Sequence, residues 1–333
     1  MADFNGKFQY LTSNGSVAQE GACRMQFDRQ NFTLTPESGP PIVADLGDID
    51  ALAAADYEVR LPLYTGNIIV LRQFGKAFET LSHDLLEAHR QRTLECLLLE
   101  DLQEVARFNG NFELDSTGAA PRAGPAEFRL FQSNLAVLPA ESQGFQWRLT
   151  DVDSVNFDET TYEVALRSGQ DALKASKLGK RTEEFVAGVK QAIADLATRS
   201  TQALHSTFPF LDPDQLQAVS SQFREGHAAP VAKLAAIHPG LPAALADNAV
   251  DSDLKPYYDD LLARTSKDAL YAGFKLIRAE DSDSETETPG PASLPDGDSA
   301  GPQMLYWFYF PVGGNIVAWE ASSAGGRATY FFR

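Results

Sequence analysis

Apolar and polar residues alternate in short runs over the first seventy positions, and Gly, Pro, Asn and Asp separate the runs. Residues 7–11, 23–27, 31–34, 42–46, 57–63 and 67–71 each read as a strand with one buried face, because strand side chains point alternately to opposite sides. After Gly75 the period changes. Phe78, Leu81, Leu85 and Ala88 fall on one face of a helix, and the pattern turns His83, Asp84, Glu87 and His89 toward solvent. Six or seven consecutive antiparallel strands followed by one amphipathic helix are predicted, the helix covering the open end of a bent sheet.

The pattern is written twice. Phe4-Asn5-Gly6-Lys7-Phe8 returns as Phe108-Asn109-Gly110-Asn111-Phe112, and residues 23–34 with Pro36 align with 126–137 and Pro139. Leu46-Gly47-Asp48-Ile49-Asp50 matches Leu149-Thr150-Asp151-Val152-Asp153, and Tyr57-Glu58-Val59-Arg60-Leu61 matches Tyr162-Glu163-Val164-Ala165-Leu166. Gly75-Lys76 matches Gly179-Lys180, and Leu81, Leu85 and Ala88 match Phe185, Val189 and Ala192. Every offset lies between 103 and 105, so the chain carries two homologous units, 1–104 and 105–200.

This strand order, the Asp-Ile/Val-Asp turn and the Gly-Lys entry to the helix resemble the pleckstrin homology-like (PH-like) superfold. The resemblance implies an α+β fold with two tandem PH-like antiparallel β-barrels, each closed by a C-terminal helix. PH-like folds recur as peptide, protein and lipid binders, so the resemblance speaks to fold and leaves function to particular sites.

Residues 201–333 read as a third α+β domain. Asp212-Pro213 is an N-cap followed by a proline at the first helical position, with Leu216, Val219 and Phe223 as the buried stripe. A second helix is predicted from Ala228, burying Val231, Leu234 and Ile237 and ending at His238-Pro239-Gly240, and a third through Tyr257, Leu261 and Leu262. Residues 279–301 hold seven acidic residues and no Lys or Arg, which predicts a disordered acidic loop. Residues 304–311, 315–321 and 327–332 read as strands with aromatic faces; both faces of the run Tyr306-Trp307-Phe308-Tyr309-Phe310 are expected to be covered, and the terminal strand to be ordered.

Charge narrows the function. The 46 acidic residues against 28 Lys and Arg give −18, which disfavours nucleic acid and phosphoinositide membranes as partners. The two cysteines, Cys23 and Cys96, form no Cys-x-x-Cys pair and sit in apolar patterns, so buried thiols in a reducing cytoplasm are expected. No signal-peptide pattern or membrane-length apolar run is read. His83 and His89 are six apart and cannot share a helical metal site. Asp-x-Asp occurs in both units without a parallel sheet around it, so it reads as a turn whose aspartates accept backbone N–H groups rather than a phosphatase nucleophile. No phosphate loop, dinucleotide fingerprint or nucleophile elbow is present, and no catalytic residue, cofactor or metal is expected.

One basic cluster stands out: Lys174, Lys177, Lys180 and Arg181, with no acidic residue among them. It reads as a contact for an anion or acidic partner, or as a solvated hairpin before a helix. The leading expectation is a non-catalytic cytoplasmic scaffold or adaptor that presents sheet edges and helix grooves to a protein. Alternatives are an acidic chaperone for basic proteins, since PH-like modules beside acidic segments resemble histone chaperones of the FACT type, and an enzyme with a site in the C-terminal domain.

Overall fold

The computed structural model describes residues 3–250, 254–266, 269–276, 304–322 and 327–332, with side chains described as far as Ala321. Two compact units divide the chain, Met1–Ile193 and Ala194–Arg333.

The first unit contains two half-barrels of the same design. Strands β1 (Asp3–Leu11), β2 (Val17–Phe27), β3 (Asn31–Pro36), β4 (Ile42–Asp45), β5 (Ala53–Ala55), β6 (Glu58–Pro62) and β7 (Ile68–Arg72) pair in the order β4-β3-β2-β1-β7-β6-β5. Helix α1 (Phe78–Cys96) follows, burying Leu81 and Leu85 against Phe8, Met25, Phe32 and Leu61. Strands β8 (Glu104–Asp115), β9 (Arg122–Phe131), β10 (Asn134–Pro139), β11 (Phe145–Arg148), β12 (Ser154–Asp158), β13 (Glu163–Ser168) and β14 (Asp171–Ser176) repeat that order, and α2 (Thr182–Thr207) follows them. All these pairings are antiparallel. The duplication extends to register: Cys23↔Pro36 and Met25↔Leu34 recur as Ala126↔Pro139 and Phe128↔Val137.

It extends to backbone conformation as well. Tyr57 and Tyr162 have φ of 60° and 55°, and Gln73 and Lys177 have 60° and 55°, left-handed values that L residues seldom adopt. The repeated Phe-Asn-Gly motif is explained by packing. The phenylalanines are buried, and a Cβ on Gly6 would sit 2.7 Å from the Phe74 ring, while one on Gly110 would sit 2.5 Å from the carbonyl oxygen of Ser176.

Helix α1 ends in a Schellman motif: Leu99 N–H donates to the Leu94 carbonyl at 2.9 Å and Leu98 N–H to the Glu95 carbonyl at 2.9 Å. The left-handed position of that motif, usually Gly, is Leu98, at φ 56° and 82% exposed. Leu94 and Leu99 then join Phe131, Ala136 and Leu138 in a core shared with the second sheet. Leu52 N–H also donates to the Ala140 carbonyl at 2.8 Å.

An ion-pair network lies alongside. Arg129 on β9, 1% exposed, bonds Glu127 and reaches Glu87 Oε1 at 3.0 Å and Glu104 at 3.7 Å, while Arg90 meets Glu127 at 3.0 Å and Arg107 pairs with Glu104. Each buried charge has a counter-charge, without which burying it would cost several kcal/mol.

Two expectations for this unit are corrected. His89 is buried rather than turned to solvent, because it lies four residues beyond Leu85 on the same face, and its Nε2 stands 3.0 Å from the Ile49 carbonyl oxygen. Cys23 is buried as expected, but Cys96, in the last turn of α1, is exposed.

In the second unit, α3 (Pro213–Gln222) starts with a capping box in which Asp212 accepts from Gln215 N–H at 2.8 Å and the Gln215 side chain accepts from Asp212 N–H at 3.2 Å. The helix expected from Ala228 begins later. Ala229 precedes a proline and is therefore held extended, so β15 (Ala229–Pro230) pairs with β16 (Tyr271–Leu276) and α4 (Val231–Ile237) follows. His238-Pro239-Gly240 does end α4, but α5 (Leu241–Ala249) starts at once, with Pro242 in its first turn, where no helix was expected. Helix α6 (Lys255–Arg264) matches the third predicted helix.

β15, β16, β17 (Met304–Val312), β18 (Asn315–Ser322) and β19 (Arg327–Phe332) form a five-stranded antiparallel sheet in chain order. Tyr306, Phe308 and Phe310 face the core, where the Tyr258 ring meets those of Phe308 and Phe310 edge-on at 5.4 and 5.5 Å. The opposite row is only half-buried: Trp307 packs over Gly273 and donates to Glu320, so one face of β17 is covered fully and the other in part. The acidic stretch 279–301 and the Phe331 and Phe332 side chains lie outside what is described; the backbone of β19 pairs with β18.

Candidate functional site

The basic cluster spans the end of β14 and the entry to α2. Lys174 lies opposite Glu113 in the β14–β8 ladder and meets it at 3.5 Å, an exposed pair of little energetic consequence. Lys177 holds its left-handed φ of 55° two residues before Gly179, whose φ is 64°. Lys180 follows in a single 3-10 turn that runs into the helix. The side chains of Lys177 and Lys180 are exposed and make no ion pair among the described residues.

Arg181 has a different role. Its guanidinium holds Glu184 through two hydrogen bonds at 2.8 and 2.6 Å, donates to the Arg107 carbonyl, and lies 4.4 Å from the centre of the Phe108 ring. These contacts tie the start of α2 to β8. The structure therefore leaves Lys174, Lys177 and Lys180 exposed and gives Arg181 to the scaffold.

A second surface lies where the first sheet meets the second. A recess of about 120 Å³ is lined by Gly47, Ile49, Tyr64, Thr93, Leu97 and Gly144, with His89 at its buried end and Cys96 at its rim. Tyr64 is 55% exposed, and its N–H donates to the Asp48 carbonyl at 3.0 Å. Partial burial, then the negative groups Asp50, Cys96 and Asp48, push the Tyr64 phenol above its ordinary value. Burial lowers the His89 pKa, which keeps the imidazole neutral.

The two Asp-x-Asp turns differ at this point. In the second half-barrel Asp153 accepts from Gly169 N–H at 2.8 Å, as expected of a turn aspartate, whereas Asp151 accepts from the Arg148 side chain at 3.2 Å. In the first, neither the Asp48 nor the Asp50 carboxylate has a hydrogen bond or ion pair among the described residues. The sequence held the signal, since Tyr64 lies in a turn one residue longer than its counterpart before Asp171, but the pattern alone did not connect it to Asp48 and Asp50.

The second unit has an apolar pocket of about 590 Å³ among α4, α5 and α6, lined by Val231, Ala246, Tyr258, Leu262 and Leu270, with Lys255 and Asp259 paired at 3.6 Å beside it. Among the described residues there is no group of three or more His, Cys, Asp or Glu placed to hold a metal, and no helix is long and apolar enough to cross a membrane.

No family model and no curated protein matches the chain. Solved structures do. The ternary complex between human RhoA, its inhibitor and the DH/PH domain of human ARHGEF11 is similar over 35% of this chain and 45% of that one, with 8% identity and a TM-score of 0.24. The N-terminally truncated linker-DH/PH domains of p115-RhoGEF share 13% identity over 36% of this chain and 46% of theirs, with a TM-score of 0.23. The Spt16D–Pob3N heterodimer shares 17% over 50% of this chain and 83% of that one, with a TM-score of 0.19. The chain thus spans less than half the length of the two DH/PH chains. Both half-barrels are PH-like. That statement rests on seven antiparallel strands in one fixed order with a closing helix after the last, found twice. The PH-like fold carries no partner or activity with it.

Proposed function

We propose that the chain is a non-catalytic cytoplasmic scaffold or adaptor built of two tandem PH-like units, 1–104 and 105–200, and a third α+β domain, 201–333. Its contact for an acidic protein segment is the surface of Lys174, Lys177 and Lys180. The observation that carries this reading is the exposure of Lys177 and Lys180 without counter-charges, in a chain of net charge −18 whose arginines are largely held in internal pairs. Like-signed partners are repelled by most of the molecule, which favours recognition of an acidic segment where lysines cluster without acidic neighbours. The two free thiols suit a reducing compartment.

The test is fluorescence anisotropy with a labelled octaglutamate peptide at low and physiological salt. Wild-type protein binds; Lys177→Glu/Lys180→Glu weakens binding at least tenfold, and Lys177→Arg/Lys180→Arg retains it. Equal binding by wild type and the charge-reversed protein refutes the assignment.

A further inference from the structure

We propose that the pocket among α4, α5 and α6 binds a neutral small molecule with a hydrocarbon body and one carbonyl oxygen, to which the Tyr258 hydroxyl donates a hydrogen bond. The site lies within the second unit, shares no residue with the lysine surface and does not depend on it.

Tyr258 anchors α6 on the sheet, its ring edge-on to those of Phe308, Phe310 and Trp319 at 5.4, 5.5 and 6.1 Å. Across from α6 the lining residues of α4 and α5 include Ala232, Ala235, Ala243 and Ala246, whose side chains are too short to fill the interval, so a volume of about 590 Å³ remains. Val231 N–H donates to the Leu270 carbonyl at 2.9 Å and fixes two further walls. Small-molecule sites have this size, roughly 300 to 1,000 Å³, with mainly apolar walls and few polar groups, and lie between helices among other places.

The polar groups select the ligand. Tyr258 is 4% exposed, and its hydroxyl makes no hydrogen bond among the described residues, yet it is not one of the polar atoms sealed from solvent. It therefore opens onto free space, and the free space that Tyr258 borders is the pocket. A buried hydroxyl without a partner has given up its bond to water, so a ligand atom that accepts from it supplies what the fold does not. Burial pushes the phenol up to about 12, which keeps the proton in place for donation.

The other polar lining side chains are Lys255 and Asp259, paired with each other at 3.6 Å. A charged head group would have to compete for one of them or enter apolar walls unpaired, at a cost that a neutral acceptor avoids. The Asp259 charge also acts on the Tyr258 phenol and so opposes a carboxylate at that hydroxyl. A ligand hydroxyl would bring a donor in need of its own acceptor, whereas a carbonyl only accepts.

Displacement of the apolar fluorescent probe N-phenyl-1-naphthylamine from the full chain by ten-carbon competitors tests the proposal. 2-Decanone is expected to displace the probe at a concentration at least fivefold below that required of decanoate or decylamine, and to raise the thermal transition of the wild type. Ala235→Leu and Ala232→Leu each place a branched side chain in the pocket and should weaken 2-decanone at least tenfold without lowering the thermal transition; either one suffices if the other fails to fold. Tyr258→Phe keeps the ring and removes the hydroxyl, so it should weaken 2-decanone at least threefold and leave probe affinity within twofold. Full binding by both filled variants would put the ligand elsewhere and overturn the site. Equal displacement by decanoate or decylamine would overturn the neutral ligand, and unchanged 2-decanone affinity in Tyr258→Phe would overturn the hydrogen bond. Neither displacement nor a raised transition, the result expected of a groove for a partner's side chain, would overturn the small-molecule assignment.

Discussion

Arg129 on β9 and Glu87 on α1 meet at 3.0 Å, so that the helix closing one half-barrel is bonded to the sheet of the next. The guanidinium is 1% exposed and Glu127 beside it is 7% exposed. Arg129→Met is expected to destabilise the first unit by about 3 to 5 kcal/mol, because it strips a buried carboxylate of its nearest counter-charge. Urea unfolding gives the value; a loss below about 1 kcal/mol would mean that Arg90 alone satisfies Glu127.

Gly110→Ala should cost about 1 to 3 kcal/mol, since the new Cβ meets the backbone oxygen of Ser176 at 2.5 Å, which no rotamer change relieves. Gly6→Ala meets only the Phe74 ring and should cost less. Thermal melts of the two variants decide the order, and a larger loss at Gly6 contradicts it.

Leu98→Gly should stabilise the protein by roughly 0.5 to 1 kcal/mol. The residue occupies the left-handed position of the Schellman motif with 82% of its surface in water, so removing the side chain relieves backbone strain and forfeits little burial. A fall in melting temperature would show that the Leu98 side chain contributes packing that its exposure does not reveal.

His89 makes stability depend on pH. Burial, the largest influence, and the charge of Arg90 lower its pKa from 6.5, and the Ile49 carbonyl and Asp50 only partly oppose them. The unfolded chain therefore takes up a proton at this position before the folded one does. Stability from a neutral His89 is complete above about pH 6.5 and declines as pH falls toward the lowered folded value. His89→Gln should flatten the stability profile between pH 7 and 5.5, as measured by urea unfolding at a series of pH values. An unchanged slope would assign the acid sensitivity to carboxylates elsewhere.

Much of the architecture was legible in residue order. Alternation placed β1 to β4, β6 and β7, and the repeat carried them onto the second half-barrel, because a half-buried strand must alternate and a duplicated core must keep its spacing. What escaped depended on partners distant in sequence. The three-residue β5 is too short to show a period, and β16, Tyr271–Leu276, becomes a strand by lying against β17. His89 looked like a surface residue until the Ile49 carbonyl arrived from forty positions away to satisfy its nitrogen. The basic cluster was visible as composition, yet only the position of Phe108 and Glu184 separates Arg181 from the lysines.

The junction network also gives the pair of half-barrels a direction. At the place of Arg129 the first half-barrel has Gln26, and at the places of Glu87 and Arg90 helix α2 has Gln191 and Ala194. Each copy thus carries one side of a lock that the other copy lacks. A chain with the two modules transposed would keep both folds and lose the joint, for Arg129 would have Gln191 in place of Glu87 to meet. Likeness of fold here coexists with a fixed order of the two half-barrels.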